Sequence, residues 1–306
     1  MSSAIALVEV GPRDGFQPIG PHIATDVKIA FVEGLYRAGL RRMEVTAFVN
    51  ERAVPQLSDA AEVLRAAQLL PGLAAQVLVP NKRFCHRALE AGASHIAFVL
   101  SASEKHNQNN VRRSPAESVE EYGRLVADLP GGTRVRLNLA TSFDCPFDGP
   151  VPEADVLKLL DALIPLRPGV EVALCDTTGR VTPDRVRSLF ERSIRRYGNG
   201  TGWAFHGHDT YGLGVANVLA AYDAGVRVFD SSFAGLGGCP FAPGATGNVA
   251  TEDVVWTFNN MGLETGVDLG SLLEVSMRGA EIPGAFSGGR VRNALEGQRC
   301  VQALEG

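Results

Sequence analysis

Segments typical of buried strands alternate with segments of helical spacing along almost the whole chain. Within 25–38, for example, Val27, Phe31 and Leu35 recur on one helical face. Such alternation favours a parallel sheet with right-handed crossovers, and eight units in roughly 250 residues match a closed (β/α)8 barrel. The strand-like segments are 4–10, 42–48, 73–79, 95–100, 133–140, 170–175, 202–206 and 226–231.

An open, doubly wound sheet is the alternative fold for the same alternation. It is disfavoured because no GxGxxG motif follows the first strand and no change of composition divides the chain. We therefore expect one α/β domain over 1–306, a (β/α)8 TIM barrel with a C-terminal helical extension. The last barrel helix should cover about 250–261, and the helical pattern in 266–306 predicts an appendage that closes one face or helps a dimer.

Composition narrows the classes of function. The chain has 306 residues, 45% of them hydrophobic, with a net charge of -5, which argues against nucleic-acid binding because phosphate contacts leave a basic footprint. No apolar run is long enough to span a bilayer, and the start, Met1-Ser2-Ser3, has no basic leader, so a cytoplasmic protein is expected. Five scattered cysteines without a CxxC motif predict a reduced protein without a disulfide framework.

Polar residues gather where the predicted strands end, which is where a barrel places its chemistry. The run Val8-Glu9-Val10 stops at Gly11-Pro12 and then presents Arg13 and Asp14. A cation beside an anion at a strand end can bind a metal, an anionic substrate or both. Asp14 could also be only a helix cap or an ion-pair partner of Arg13. Further polar residues lie at or near the ends of other strands: Glu44, Asn138, Asp176, Thr178, His206 and His208.

His206 and His208 form the sharpest pattern. On an extended segment, residues i and i+2 point to one side, and Gly207 between them places no side chain on the other face. A lone histidine is more often a core residue, but two converging imidazoles suit a divalent cation. Asp14 and Asn248 could add oxygen ligands. Such a mixed donor set suits Mg²⁺ or Mn²⁺, with Zn²⁺ or Co²⁺ as alternatives.

Three other features have both a structural and a functional interpretation. The Gly-rich loop 235–247 is either a linker or a lid that carries the Cys239 thiol over the barrel mouth. Glu252 opens a helix, where it either offsets the helix dipole or orients an active-site partner. Glu44 should face the barrel interior and needs a partner there, for which Arg13 is the obvious candidate. His106 is predicted to be a solvated loop residue.

Four stretches together resemble the 3-hydroxy-3-methylglutaryl-CoA (HMG-CoA) lyase family, which belongs to a wider group of metal-dependent lyase and aldolase barrels. The likeness runs in order from about residue 5 to about residue 280. The loop with Cys239 is its most specific part, because condensing relatives share the Arg-Asp and His-x-His pieces only. The stretches are Val8–Gln17, Glu44–Val49, His206–Gly212 and Phe233–Asn248.

The resemblance implies a divalent cation, an acyl-CoA substrate and a role for each matching residue. Arg13 would stabilise enolate charge, Cys239 would be the acid/base on the loop, and Glu44 and Glu252 would be supporting carboxylates. Asp176 would face the substrate or assist a base. The implied metal ligands are Asp14, His206, His208 and Asn248, and the implied substrate-binding residues are Arg13, Gln17, Asn138 and Thr178.

The implied reaction is retro-Claisen cleavage to acetyl-CoA and a keto acid such as acetoacetate. Two departures from the family pattern, Pro18–Pro21 and Asn138–Thr141, lie near the acyl group and leave its identity open; citramalyl-CoA is one alternative. A condensing synthase or aldolase of the same barrel group is a second hypothesis. A barrel that binds acyl-CoA or metal without turnover is a third. A homodimer or higher homo-oligomer is expected, with neither nucleic acid nor membrane as a partner.

Overall fold

The predicted strands close into a parallel barrel. The structure is a computed structural model that describes residues 5–238 and 247–295. The closed order is β1-β10-β9-β8-β5-β4-β3-β2, which confirms the (β/α)8 TIM-barrel prediction. The strands are β1 (Ala6–Glu9), β2 (Arg42–Ala47), β3 (Ala74–Val79), β4 (His95–Ser101), β5 (Arg134–Ala140), β6 (Asp144–Cys145), β7 (Gly149–Pro150), β8 (Glu171–Asp176), β9 (Gly202–Gly207) and β10 (Val228–Ser231).

Helices follow the barrel strands and cover the outside of the barrel. They include α1 (Thr25–Arg37), α2 (Ala60–Gln68), α3 (Lys82–Glu90), α4 (Glu104–Val111), α5 (Pro115–Ala127), α6 (Glu153–Leu163), α7 (Pro183–Tyr197), α8 (Gly214–Asp223), α9 (Thr251–Asn260) and α10 (Leu269–Ala280). The main core lies between strands and helices, where the outward-facing side chains Phe98, Leu137 and Phe205 are fully buried. No helix in the described ranges is both long and apolar enough to cross a bilayer.

The strand register decides which side chains enter the barrel, because laterally paired residues of parallel strands share a face. Val8 pairs with Asp230, Asp230 with His206, and His206 with Cys175. One histidine and one aspartate therefore share the inner face. Small side chains such as Ala173 fill part of that interior. This leaves room for the polar groups near the carboxyl ends of the strands.

The segment between β4 and β8 contains more helices and strands than the sequence pattern indicated. Two helices, α4 and α5, separate β4 from β5, and β6 pairs with β7 as a short antiparallel ribbon. The interpretation of His106 as a solvated loop residue was wrong. It lies on α4, is buried, and its Nδ1 is 2.7 Å from Ser101 Oγ. The error arose because the polar run Glu104–Asn110 has no apolar stripe from which to recognise a helix.

The C-terminal extension contains the predicted helical element, α10, followed by a non-helical stretch over 281–289. Asp268 caps α10 by accepting a hydrogen bond from Ser271 N at 2.7 Å, and α10 contacts both α1 and α9. The chain then returns to the carboxyl end of β10. There, Gly288 N donates to Ala234 O at 2.7 Å, and Asp253 accepts hydrogen bonds from the backbone of Arg290 and Val291. This part of the tail therefore braces the loop that follows β10.

Candidate active site

The turn after β1 presents two of the predicted site residues. Gly11–Gly15 forms a single π-helical turn, in which Gly15 N lies 3.4 Å from Val10 O. Beneath it, the carboxylate of Glu9 accepts hydrogen bonds from Gly11 N at 2.7 Å and Phe233 N at 3.0 Å. Its second oxygen accepts from Thr251 Oγ1 at 2.7 Å. One buried carboxylate thus joins the first turn to the loop after β10 and to α9.

Asp14, His206 and His208 converge at the carboxyl ends of the strands. Each offers one ligand atom, and these atoms all lie within 4.8 Å of one another. His206 Nε2 is 3.8 Å from Asp14 Oδ2, too far for a hydrogen bond but suited to two ligands of one ion at about 2.1 Å each. Asn248 is held beside them, since its backbone pairs with that of His208 and its Nδ2 lies 2.8 Å from Asp14 Oδ2.

The donor set fits a divalent cation. Two buried atoms, His208 Nδ1 and Asn248 Oδ1, have no hydrogen-bond partner among the described residues. Burial would raise the pKa of Asp14, but Arg13 and both imidazoles outweigh it and hold that pKa well below its usual range. Burial, and then His206, lowers the pKa of His208 to about 4. The site therefore offers an ionised carboxylate and a neutral imidazole, the forms that ligate metals.

Arg13 is fixed between carboxylates, as the sequence suggested. Its Nε donates to Glu44 Oε1, and its Nη1 donates to Asp14 Oδ1 at 2.5 Å. Glu44 is in turn held by Gln76, whose Nε2 donates to Glu44 Oε2 at 2.6 Å. Burial disfavours the guanidinium charge, but Asp14 and Glu44 outweigh it, so the pKa of Arg13 is raised. Arg13 is thus a permanent, oriented cation next to the candidate metal group.

His206 has its own supporting residues. Its Nδ1 lies 3.0 Å from Asp230 Oδ2, and the same oxygen accepts from Arg136 Nη2 at 2.6 Å. Sequence reasoning missed Asp230, Arg136, Gln76 and Glu9. A common signal could have found three of them: a charged residue interrupts an apolar run, as in Val8-Glu9-Val10 and Val135-Arg136-Leu137, or ends it, as in Phe229-Asp230.

The other predicted residues lie around this group at varying distances. Asp176 pairs in register with Gly207, one residue beyond the Cys175–His206 pair. Because side chains alternate along a strand, Asp176 lies on the opposite face of the sheet from His206. Its Oδ2 lies 3.4 Å from Val181 N in the loop before α7, and burial raises its pKa to about 6. Thr178 Oγ1 donates to Asp144 Oδ2 at 2.8 Å, which anchors the β6–β7 ribbon.

The three-residue ligand group does not include Asn138, Gln17 or Glu252. Asn138 is buried on the inner face of β5, and its Oδ1 accepts from Arg136 Nε at 2.8 Å. Gln17 is exposed just beyond the turn. Glu252 is fully buried, and its Oε2 accepts from Ala234 N at 3.0 Å and from Ser276 Oγ at 3.1 Å. Glu252 therefore braces the loop after β10, and Cys239 lies outside the described residues.

A closed parallel barrel that gathers an aspartate, two histidines and a buried arginine at its strand ends defines a (β/α)8 enzyme with a candidate divalent-metal centre. The comparisons with known proteins narrow this class. A family model described as HMGL-like matches residues 4–278. The chain belongs to this family of HMG-CoA lyases, and it is a carbon–carbon lyase.

The cytoplasmic HMG-CoA lyase of Rattus norvegicus is 40% identical over 271 residues, covering 88% of this chain and 78% of the rat protein. The crystal structure of the Bacillus subtilis HMG-CoA lyase has a TM-score of 0.90 at 37% identity, covering 96% of this chain and 98% of that one. An Acinetobacter baumannii HMG-CoA lyase, solved in complex with coenzyme A and 3-methylmalate, has a TM-score of 0.88 at 35% identity, covering 96% and 97%.

Proposed function

We propose that this lyase cleaves HMG-CoA to acetyl-CoA and acetoacetate and depends on a divalent cation, Mg²⁺ or Mn²⁺. The observation that carries the proposal is the convergence of Asp14, His206 and His208 beside the oriented guanidinium of Arg13. The relatives named as HMG-CoA lyases support the substrate. Coenzyme A in the A. baumannii structure supports an acyl-CoA thioester as its class.

In this proposal Asp14, His206, His208 and Asn248 hold the cation. It supplies Lewis-acid chemistry that lowers the pKa of the substrate's tertiary hydroxyl. A histidine, an aspartate or a water removes that proton. Cleavage of the carbon–carbon bond then leaves an acetyl-CoA enolate. Arg13 stabilises its charge because the guanidinium is already oriented by Glu44 and need not reorganise.

The enolate must then be protonated to release acetyl-CoA. We assign that step to the Cys239 thiol, following the family pattern of the loop 233–248. Glu252 supports the loop through Ala234 N, and Glu44 supports Arg13. We place Gln17, Asn138 and Thr178 against the substrate. Among these, Asn138 is the best candidate to discriminate acyl groups, since it is buried on the inner face of β5. Asp176 lies on the opposite strand face from His206, so we propose that it assists a base indirectly, through the loop before α7 that it contacts at Val181 N.

A substrate panel tests this proposal. Purified protein is stripped of metal with a chelator, then incubated with HMG-CoA or citramalyl-CoA, with and without Mg²⁺ or Mn²⁺. Acetyl-CoA and the keto acid are then quantified. We expect metal-dependent cleavage of HMG-CoA. Cleavage of citramalyl-CoA alone would move the assignment to a related 3-hydroxyacyl-CoA. Absence of acetyl-CoA from both substrates would refute the lyase substrate class.

The same preparation distinguishes a condensing enzyme of this barrel group. A synthase would form the carbon–carbon bond from acetyl-CoA and a keto acid and would barely respond to Cys239→Ala. A lyase of the proposed kind should lose most of its turnover in that variant. A barrel that only binds acyl-CoA would show affinity without product under either metal.

We further propose that 1–306 acts as one catalytic unit, with 266–306 as a C-terminal appendage, and that copies associate as a homodimer or higher homo-oligomer. Light scattering coupled to gel filtration tests the association, and a mass equal to one chain would refute it. A cytoplasmic location is proposed as well, supported by the rat relative, which is named as a cytoplasmic enzyme.

A further inference from the structure

A chain of buried and partly buried charges runs through the barrel interior to one of the candidate metal ligands. Arg42 donates from both terminal nitrogens to Glu171, at 2.8 and 2.5 Å. Glu171 Oε1 also accepts from Arg136 Nη1 at 3.2 Å. Arg136 Nη2 donates to Asp230 Oδ2 at 2.6 Å, and that oxygen lies 3.0 Å from His206 Nδ1. The chain therefore spans the barrel from its amino end to the site.

The position of Asp230 is tightly determined. Arg136 is fully buried and Asp230 is 3% exposed, so neither group can exchange its partner for water. Both sit on barrel strands, Arg136 on β5 and Asp230 on β10, whose backbones are fixed by parallel pairing on both sides. Arg136 is also held by Asn138, since its Nε donates to Asn138 Oδ1 at 2.8 Å. Rigid strands hold a side chain more accurately than loops do.

The contact with Asp230 determines which nitrogen of His206 is available to bind an ion. The Asp230 oxygen faces Nδ1, so Nδ1 carries a proton that it donates to the carboxylate. In the neutral ring, Nε2, the nitrogen that faces Asp14 Oδ2 at 3.8 Å, is then the one left with its lone pair. The ring cannot turn to exchange the two nitrogens without breaking its hydrogen bond inside the barrel. His206 is thus oriented before any ion arrives.

We propose that Asp230 is a positioning residue that fixes His206 as its Nδ1-protonated tautomer with Nε2 directed at the cation, and that Arg136 holds Asp230 in place. Part of this inference rests on the metal centre of the proposed function. Carboxylates that orient metal-bound histidines typically change metal affinity by about 10- to 100-fold when they are replaced. Asp230 acts through His206 and contacts no substrate in this proposal.

Asp230→Asn tests the proposal, because it removes the charge with almost no change of shape. The first measurement is the affinity of chelator-stripped protein for Mn²⁺ by titration calorimetry, and we expect it to fall about 10- to 100-fold. The second is ¹⁵N NMR of the histidine rings in metal-free protein, assigned with a His206→Gln variant. Burial would lower the pKa of His206, but Asp230 and Asp14 outweigh it and raise that pKa, so the spectra are recorded at a pH where the ring is neutral. There Nδ1 should carry the proton in the unsubstituted protein, and in Asp230→Asn the His206 ring should populate both tautomers.

Asp59→Asn is the matched control. Asp59 is also a carboxylate in a largely buried ion pair, with Lys28 at 2.9 Å, but it lies between α1 and the start of α2. The Asp59→Asn variant should be less stable, while its Mn²⁺ affinity and its His206 spectrum should be unchanged. Equal losses of affinity in both variants would show that Asp230 acts only through stability and would overturn the proposal.

The two measurements separate this inference from the proposed function. If the unsubstituted protein binds no Mn²⁺, the metal centre fails, but the spectrum of metal-free His206 still tests the role of Asp230. If the unsubstituted protein binds Mn²⁺ and Asp230→Asn binds it equally well, the positioning role fails while the metal centre stands. A neutral His206 ring that carries its single proton on Nε2 in the unsubstituted, metal-free protein would overturn the proposal by itself.

Discussion

The ring of Phe233 supports the turn that carries Arg13 and Asp14, and glycines enclose it on two sides. A Cβ placed on Gly11 would lie 2.4 Å from Phe233 Cδ1, and one placed on Gly279 would lie 2.4 Å from Cε2 of the same ring. Phe233 is fully buried and stacks on Phe31 with ring centroids 5.2 Å apart. The ring therefore has no free space on either side.

Gly11→Ala should destabilise the protein and weaken its metal site together. The new methyl group would meet the Phe233 ring and also Glu9 Oε1, 2.7 Å away, so the turn itself must move. Overpacking of this kind typically costs about 1–3 kcal/mol. Since Asp14 lies three residues further along the same turn, its carboxylate should shift away from His206 and His208. We expect weaker Mn²⁺ binding as well as the lower free energy of unfolding.

Alanine substitutions at two further glycines provide the comparisons for this experiment. Gly20→Ala is the matched control, because a Cβ there meets nothing within 4 Å, and its effect should stay within about 0.5 kcal/mol. Gly279→Ala presses on the other edge of the same ring from α10. There the clash is partly offset by the better helix propensity of alanine, about 1 kcal/mol. It should cost less stability than Gly11→Ala and should affect Mn²⁺ binding less, since α10 does not carry the turn.

Urea unfolding followed by circular dichroism gives the three free energies, and calorimetry gives the Mn²⁺ affinities. The reasoning would be refuted if Gly11→Ala unfolded within about 0.5 kcal/mol of Gly20→Ala, the usual range for a harmless surface substitution. It would also be refuted if Gly11→Ala lost stability but kept the Mn²⁺ affinity, because the turn would then not be what places Asp14.

Three further predictions concern the site directly. Asp14→Ala or His208→Ala should lower metal occupancy, measured by elemental analysis after dialysis, and a loss of the circular dichroism signal would instead indicate a structural role. Cys239→Ala should reduce turnover of HMG-CoA at least about 100-fold if the thiol is the proton donor, and near-normal turnover would exclude it. Burial, and then Asp253, raises the pKa of Glu252 to about 7, so its protonated form stabilises the fold. That contribution to the free energy of unfolding is complete below the unfolded pKa of about 4.3 and is lost as pH rises through 7. Glu252→Gln should therefore flatten the fall of stability between about pH 5 and 8. An unchanged slope in this variant would count against the role of Glu252.

The sequence was sufficient for the barrel because each strand carried its own local signal. The eight predicted segments and the barrel strands agree in order and nearly in bounds, as for 42–48 against Arg42–Ala47. The closeness of Asp14, His206 and His208 also followed from sequence, since parallel strands bring their carboxyl ends to one mouth. The contact of Arg13 with Glu44 was found by asking what a buried carboxylate would need.

Contacts that depend on register could not be predicted in this way. Arg136 and Asp230 are 94 positions apart in sequence, and their pairing requires knowing that both face the interior. Asp176 shows the same limit, because one residue of register separates it from Cys175, the partner of His206. Alternation makes that single step a change of face. A strand-end position therefore predicts which end of the barrel a residue reaches, but not which way its side chain points.

The buried charges of the candidate site favour the binding of a cation. Two guanidinium groups, Arg13 and Arg136, stand among three carboxylates, Asp14, Glu44 and Asp230, which together leave a formal excess of one negative charge before the imidazoles are counted. An acyl-CoA with a free carboxylate would meet repulsion there, and an enolate would be disfavoured further. A divalent ion would reverse the sign of that excess, so the residues proposed to bind it would also make the mouth attractive to an anionic substrate. Arg13 alone cannot offset the negative charge, because it is already paired with two of the carboxylates, Asp14 and Glu44.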